Sequence, residues 1–307
     1  MNPMEIEQLL EERADLVDIE LAGLLGDIKP PELAAAVAYA ITSKGKRIRS
    51  ALVTLSSEAV GGTARDASFA AASIELIHSS SLVLDDVIDK SETRRGSDTV
   101  HKKWGTDMAL LTVQVLAALS IRLSSHDPRL IRAIADSLLY MGEGEAMELV
   151  DYARDKKTYI DLAFRKTGSL FGSAAEVGSI VGGGSDKAIE SLHEFGNHIG
   201  IAFQIRDDIL DVISSEADLG KPVKKDLFMG RPSIVVIDAL NSGISLEQMM
   251  KCNNGQLMHL VADSIDYAEE TAREELESAM AYIDKIDDNA AKEKLITLGE
   301  YIISRSK

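Results

Sequence analysis

One cysteine, Cys252, is all the chain contains, so no disulfide can form within it. Stability has to come from packing, and the composition suits a reducing compartment, the cytoplasm. Prolines are scarce, six in 307 residues, and aromatic side chains make up only 5%. Long stretches of Leu, Ala, Ile and Glu run without turn-forming clusters, which favours helix over sheet. Basic residues are in the minority: 33 Lys and Arg face 50 Asp and Glu, a formal net charge of −17. Such a chain repels nucleic acid and anionic lipid away from any local basic patch, and it attracts divalent cations. No nucleic-acid partner is expected. A long apolar run is also missing. The most apolar stretch, 108–119, is too short for a bilayer and is interrupted by Thr112 and Gln114. The first twelve residues are polar and acidic, without the apolar core of a signal peptide. A soluble protein with no stable membrane insertion is expected.

What is present is an ordinary globular balance, 45% hydrophobic and 27% charged, enough for a large core. No linker, low-complexity tract or repeat divides the chain, so 1–307 reads as one domain. Leu9, Leu10, Leu16, Val17, Leu21 and Leu24 recur at helical spacing over 4–25. Pro30 and Pro31 suit the first turn of a second helix through 34–42. A third helix over 50–60 ends at Gly61 and Gly62. A long apolar helix over 67–91 stops near Gly96. Further helices are predicted over 107–124, 128–154, 158–181, 186–213, 231–241, 245–251, 255–282 and 290–305. Strand signals are weak throughout. The fold class is therefore all-α, a single large helical bundle around a deep central cavity.

Two segments have the form D-D-x-x-D: Asp85-Asp86-Val87-Ile88-Asp89 and Asp207-Asp208-Ile209-Leu210-Asp211. Positions i and i+4 share a helix face, so Asp85 pairs with Asp89 and Asp207 with Asp211. Either segment alone could be a solvated surface charge run. Both follow apolar stretches, SLVL and AFQI, which places the carboxylates at the mouth of an apolar space. Clustered carboxylates repel one another unless a cation neutralises them. Hard oxygen ligands suit Mg²⁺, or Mn²⁺ as a substitute, and Mg²⁺ completes its shell with waters and substrate phosphate oxygens. Cations lie where a diphosphate held in this way would need them. Arg94 and Arg95 follow the first segment, Lys46, Arg47 and Arg49 form an isolated basic cluster, and Lys166-Thr167 opens a mostly neutral stretch. Lys221, Lys224 and Lys225 follow the second segment. His78 lies two helical turns before Asp85, on the same face.

The stretch H-S-S-S-L-V-L-D-D-V-I-D-K-S-E-T-R-R-G (78–96) resembles the first aspartate-rich region of the trans-isoprenyl diphosphate (polyprenyl) synthases. G-I-A-F-Q-I-R-D-D-I-L-D-V (200–212), followed by G-K-P-V-K-K-D-L (220–227), is similar to the second. G-K-R-I-R (45–49) and K-T-G-S-L-F (166–171) are similar to two more motifs of that family, in the same order. The likeness runs from about residue 30 to the end, and the geranylgeranyl and geranylfarnesyl diphosphate synthases are the members it suggests.

That resemblance implies an isoprenoid synthase-like bundle, usually homodimeric, that joins an allylic diphosphate to isopentenyl diphosphate by ionisation, condensation and elimination. Asp85, Asp89 and Asp207 would hold the Mg²⁺, three ions in all, on the allylic diphosphate, with Asp86, Asp208 and Asp211 as ligands or behind them. Arg94, Lys166 and Lys221 would contact the same diphosphate. Thr167 and Gln204 would flank the reacting carbon. Gly45, Lys46, Arg49, His78 and Arg95 would hold isopentenyl diphosphate. The sequence departs from the family pattern at Asp98, at Val113-Gln114 and at Arg231.

Chain length turns on the face of the helix behind Asp85. Bulky aromatics one turn back act as a floor in the family, and here those positions are Ser80 and Ser81, with Ile77 a turn deeper. A C20–C25 product is expected, although neighbouring helices or a second subunit could also form a floor. Three other readings compete. A terpene cyclase of the same fold would carry a mixed Asn/Ser/Glu metal site in place of the second D-D-x-x-D. A non-catalytic partner subunit would have lost metal ligands or Lys166. A generic helical metal- or phosphate-binding protein would leave Lys166-Thr167 and Gln204 unexplained.

Overall fold

The computed structural model describes residues 3–42, 45–150, 152–213 and 233–304. The first helices are α1 (Pro3–Gly23), α2 (Pro31–Ile41), α3 (Ile48–Ala59) and α4 (Ser68–Ile88). A two-residue hairpin follows, Thr93–Arg94 against Ser97–Asp98. Then come α5 (Val100–Trp104), α6 (Thr106–Ser124), α7 (Pro128–Leu149), α8 (Lys156–Ala163), α9 (Ser169–Val181) and α10 (Asp186–Ile213). The chain finishes with α11 (Ile234–Asn241), α12 (Leu246–Lys251), α13 (Asn254–Leu260), α14 (Ala262–Ile283) and α15 (Ala290–Ser304). Among the described residues the hairpin is the only sheet, so the all-α expectation holds.

Local chemistry explains several helix starts. Pro31 and Pro128 stand in first turns, where a missing N–H costs nothing. Asp127 caps α7, and Asp155, Ser245 and Asn253 close capping boxes on α8, α12 and α13. Three boundaries differ from expectation. The helix predicted to reach 154 ends at Leu149. The one predicted over 158–181 is broken by a π turn, Phe164–Gly168, between α8 and α9. The one predicted over 255–282 is two helices that meet at Val261, whose φ/ψ of −110°/22° is not helical. The apolar period runs across both internal breaks, so periodicity could not reveal them.

The buried side chains form two clusters. The larger gathers residues of α1–α4, α6, α7, α9, the first half of α10 and α15. The smaller joins α8, the second half of α10, α11 and α14. Close backbone approach sets the centre. A Cβ on Gly196 would lie 2.5 Å from the Phe171 carbonyl oxygen, and one on Gly200 would lie 2.7 Å from Gly168 Cα. Glycine at these positions lets α9 and α10 touch along their length.

α6 is 19 residues long and, by length and composition, apolar enough to cross a membrane. The helix expected over 107–124 is therefore present, with the apolar stretch 108–119 inside it. One face of it, with Ala109, Thr112, Leu116 and Ser120, is buried, and Ser73 of α4 bonds the Ser120 and Ser124 hydroxyls at 2.7 and 2.9 Å. The opposite face exposes Leu110, Leu111 and Ile121.

Candidate active site

Four elements converge on the predicted residues: the last turns of α4, α7 and α10, and the π turn ahead of α9. A Cβ on Gly144 of α7 would lie 2.6 Å from the Lys166 backbone nitrogen, so α7 and the π turn are in direct backbone contact. π turns recur at functional sites because they re-aim side chains within a helix. This one carries Lys166 and Thr167.

Lys166 Nζ lies 3.0 Å from Glu145 and also pairs with Glu148, both on α7. Burial works against its charge, but Glu148, Glu145 and Asp85 together hold its pKa above the ordinary lysine range. Asp85 is pushed up as well, to about 6. Its burial is the main cause, and Glu145 and Glu148 add to it against the pull of Lys166 and Arg94. Three carboxylates therefore act on one partly buried lysine.

The remaining aspartates divide by environment. Asp86 is buried, and its Oδ1 accepts from Arg94 Nε at 2.9 Å. Asp89 ends α4, its N–H donating to the Asp85 carbonyl at 2.8 Å. Asp207 is exposed and Asp211 buried. Asp208 is also buried, and both its oxygens are engaged: Oδ1 accepts from Gln204 Nε2 at 2.9 Å, and Oδ2 accepts from Tyr159 Oη at 2.7 Å and from the Ile234 N–H at 3.1 Å. Thr167 Oγ1 donates to Gln204 Oε1 at 2.7 Å. Thr167 and Gln204, 37 residues apart, are thus in direct contact.

The basic residues form a second group. Arg49 lies over the Phe171 ring, 4.5 Å from its centroid, and Nη1 donates to His78 Nε2 at 3.4 Å. Burial, then Arg49, Arg95, Arg94 and Arg47, push the His78 pKa well down, which keeps the imidazole neutral. Arg95 occupies the left-handed region at φ 51° in the hairpin, and its guanidinium sits where a Cβ on Gly45 would go, 2.6 Å away. Burial and then Arg94 lower its pKa, although an arginine stays charged. Lys46 Nζ is 3.3 Å from Tyr301 Oη. Arg47 belongs elsewhere: it precedes α3 at φ 51° and binds Glu75 and Asp18, both at 2.9 Å, so its role is structural.

Ile77 is fully buried. Ser80 faces α6 and donates to the Val113 carbonyl at 3.2 Å. Ser81 turns back on its own helix, donating to the His78 carbonyl at 2.9 Å. Of the departures, Asp98 pairs with Lys102 at 3.1 Å and Gln114 is exposed. Lys221, Lys224, Lys225 and Arg231 lie outside the described residues.

Sequence reasoning missed Glu145, Glu148 and Tyr159. The two glutamates sit at i and i+3 in G-E-G-E-A-M-E (142–148), and the paired glycines were the one hint of a close approach. Tyr159 gave no signal apart from its place in an apolar stretch.

Among the described residues no three His, Cys, Asp or Glu side chains converge to hold a metal unaided. Mg²⁺ takes one or two carboxylates and finishes its shell with water and phosphate. The Asp85 carboxyl, pushed up to about 6 chiefly by burial and further by Glu145 and Glu148, suits a divalent ion, which would offset the cost of its charge.

Comparison with known proteins shows the family. Residues 30–283 match the model of the polyprenyl synthetase family. A short chain isoprenyl diphosphate synthase of Methanothermobacter thermautotrophicus is 34% identical over 98% of this chain and 99% of its own. A geranylfarnesyl diphosphate synthase of Aeropyrum pernix is 32% identical over 91% of this chain and 96% of its own. The crystal structure of a geranylgeranyl pyrophosphate synthetase from Pyrococcus horikoshii superposes with a TM-score of 0.90 at 32% identity, covering 98% of this chain and 99% of that one. The chain belongs to the polyprenyl synthetase family and is a trans-prenyltransferase.

Proposed function

We propose that the enzyme transfers an allylic prenyl group to isopentenyl diphosphate, with Mg²⁺ as cofactor, and releases a trans-prenyl diphosphate of C20–C25. The observation that carries this reading is the contact of Thr167 with Gln204 beside Lys166, which is itself grouped with Asp85. When bound, Mg²⁺, three ions by family likeness, neutralises the diphosphate as it departs.

The chain's own groups do the rest. Asp85, Asp89, Asp207 and Asp211 would supply carboxylate oxygens to the Mg²⁺, and Asp86 and Asp208 support them from their hydrogen bonds to Arg94 and to Tyr159 and Gln204. Lys166 and Arg94 supply positive charge to the allylic diphosphate, with Lys221 as a third cation. Leaving-group charge is stabilised most by donors already in place when the bond breaks. Arg49, Arg95, Lys46 and the Gly45 backbone hold the second diphosphate, and neutral His78 offers it one N–H. Thr167 and Gln204 line the path of the allylic carbon and present oxygen to its developing positive charge. The double bond of isopentenyl diphosphate attacks that carbon, and the proton lost afterwards goes to the departing pyrophosphate. The apolar flank of Phe171 and Phe203 keeps water, which would quench the cation, away.

The growing chain runs along α4 past Ser81 towards Ile77, and the absence of an aromatic ring at 80 or 81 lets it reach C20–C25. The chain acts as one domain, since α10 contributes to both buried clusters. It works as a homodimer, because Leu110, Leu111 and Ile121 on α6 leave an apolar face exposed. A Leu110→Glu, Ile121→Glu double variant should sediment as a monomer where the parent is a dimer; a parent that is itself monomeric refutes the assignment.

The test of the activity is a product assay. Purified protein is given Mg²⁺, labelled isopentenyl diphosphate and allylic diphosphates of C5 to C20 in turn. A Mg²⁺-dependent C20–C25 product supports the reading. A C15 end point refutes the tunnel argument, and no incorporation with any primer refutes the activity.

A further inference from the structure

Tyr159 is fully buried on α8, yet it reaches the reacting end of the site through three hydrogen bonds in series. Its hydroxyl donates to Asp208 Oδ2 at 2.7 Å, Gln204 Nε2 donates to Asp208 Oδ1 at 2.9 Å, and Thr167 donates to Gln204 Oε1 at 2.7 Å. The backbone N–H of Ile234, at the start of α11, also donates to Asp208 Oδ2, at 3.1 Å. Each link fixes the next. An ionised carboxylate only accepts, so the face of Gln204 turned towards Asp208 must be its NH₂. The amide oxygen then faces Thr167. An amide oxygen also only accepts, so the Thr167 hydroxyl must spend its hydrogen there. What remains on the Thr167 oxygen is lone pairs alone.

We infer that Tyr159, acting through Asp208 and Gln204, is a positioning residue that sets the hydroxyl of Thr167 so that it shows only lone pairs to the reacting carbon. This inference rests on the proposed place of Thr167 beside the allylic carbon. It gives Asp208 a purpose distinct from metal ligation: its two oxygens are anchored to α8, α10 and α11, and it orients the amide. An oxygen with its hydrogen turned away stabilises a developing cation, whereas a flipped amide would free that hydrogen to point at the cation and oppose it. The ring of Tyr159 packs with Leu162, Ile205, Ile209 and Ile234 in the smaller buried cluster, which holds the hydroxyl in place.

Tyr159→Phe removes only the oxygen and keeps the ring. It should lower kcat about tenfold, one power of ten in rate, while KM for both diphosphates stays within about twofold. A purely structural role would instead show as a fall in Tm or in both constants. The deciding measurement is a double-mutant cycle with Thr167→Val, which deletes the hydroxyl that the relay orients. If the relay operates, Thr167→Val lowers kcat and Tyr159→Phe adds nothing further in that background, whereas Thr167→Ser, which keeps a hydroxyl, stays sensitive to Tyr159→Phe. Additive losses in the cycle overturn the relay. A damaging Thr167→Val with a harmless Tyr159→Phe also overturns it and leaves the site assignment standing. A harmless Thr167→Val overturns the relay and the placement of Thr167 together. Should Tyr159→Phe melt below the assay temperature, Asp208→Asn carries the same cycle, because an asparagine can donate to Gln204 and permit the flip.

Discussion

Replacing Asp85 with asparagine should make the ligand-free protein more stable while it removes the activity. In the fold this carboxyl titrates at about 6, against an ordinary value of 3.8, chiefly because it is buried and then because Glu145 and Glu148 surround it. The folded state thus holds the Asp85 proton more tightly than the unfolded chain does. Stability gained in this way is complete below 3.8 and is lost as the pH rises through about 6. Above that, the ionised group costs the fold about 3 kcal/mol as an upper bound, from about 1.36 kcal/mol per tenfold change in proton affinity. Asparagine has no such charge. At an unfolding entropy of about 2.1 cal/mol/K per residue over the whole chain, the gain is about 5 °C in Tm. Thermal melts of the parent and Asp85→Asn in EDTA, at pH 8 and pH 4.5, read it directly. The variant should melt higher at pH 8, and the gap should shrink at pH 4.5. A variant that melts lower at pH 8, or a gap that ignores pH, refutes the account of a strained, metal-free carboxylate.

Two further substitutions follow from particular contacts. Ser81→Phe puts a ring one turn behind Asp85, and product sizing by chromatography should show a shorter main product; an unchanged length refutes the path along α4. Gly144→Ala forces a methyl to within 2.6 Å of the Lys166 backbone, so it should cost about 1–3 kcal/mol in denaturant melts, with a loss of kcat that reports the displaced lysine.

The aspartate pairs were legible because helical geometry alone sets which residues share a face. Asp85 and Asp89 needed only the spacing of one turn. The motif at 166–171 was legible as a string, but its local form was not. A π turn leaves no trace in apolar period, and the backbone that packs against this one, at Gly144, lies elsewhere in the sequence. The same limit explains Asp208. Within D-D-x-x-D it is indistinguishable from Asp207, yet one is exposed and the other is bonded by Tyr159, Gln204 and Ile234. Residues 49 and 26 positions away decide the difference. Arg47 and Arg49 show it again: two arginines in one basic cluster, of which one is bound to Glu75 and Asp18 and the other stacks on Phe171 beside His78.

The pairing of Lys166 with Glu145 and Glu148 has a consequence for how the site fills. Without ligand, the cluster of Asp85, Glu145, Glu148 and Lys166 carries more negative than positive charge, so a diphosphate arriving alone meets repulsion and must compete for Lys166. A divalent cation arriving alone gains carboxylate oxygens but lacks the phosphate oxygens that complete a Mg²⁺ shell. Each ligand supplies what the other lacks, so they should bind together. Inorganic pyrophosphate with Mg²⁺ provides both charges without a prenyl tail. A ligand pair at 100 times its dissociation constant stabilises by about 2.7 kcal/mol, which over this length is a rise of about 4 °C. Mg²⁺ alone or pyrophosphate alone should each give a small fraction of that, and Asp85→Asn should lose most of the joint effect while keeping its own higher baseline. Equal shifts from either ligand alone would mean that the carboxylates and Lys166 act as separate sites, and the reading of one shared charge cluster would fall.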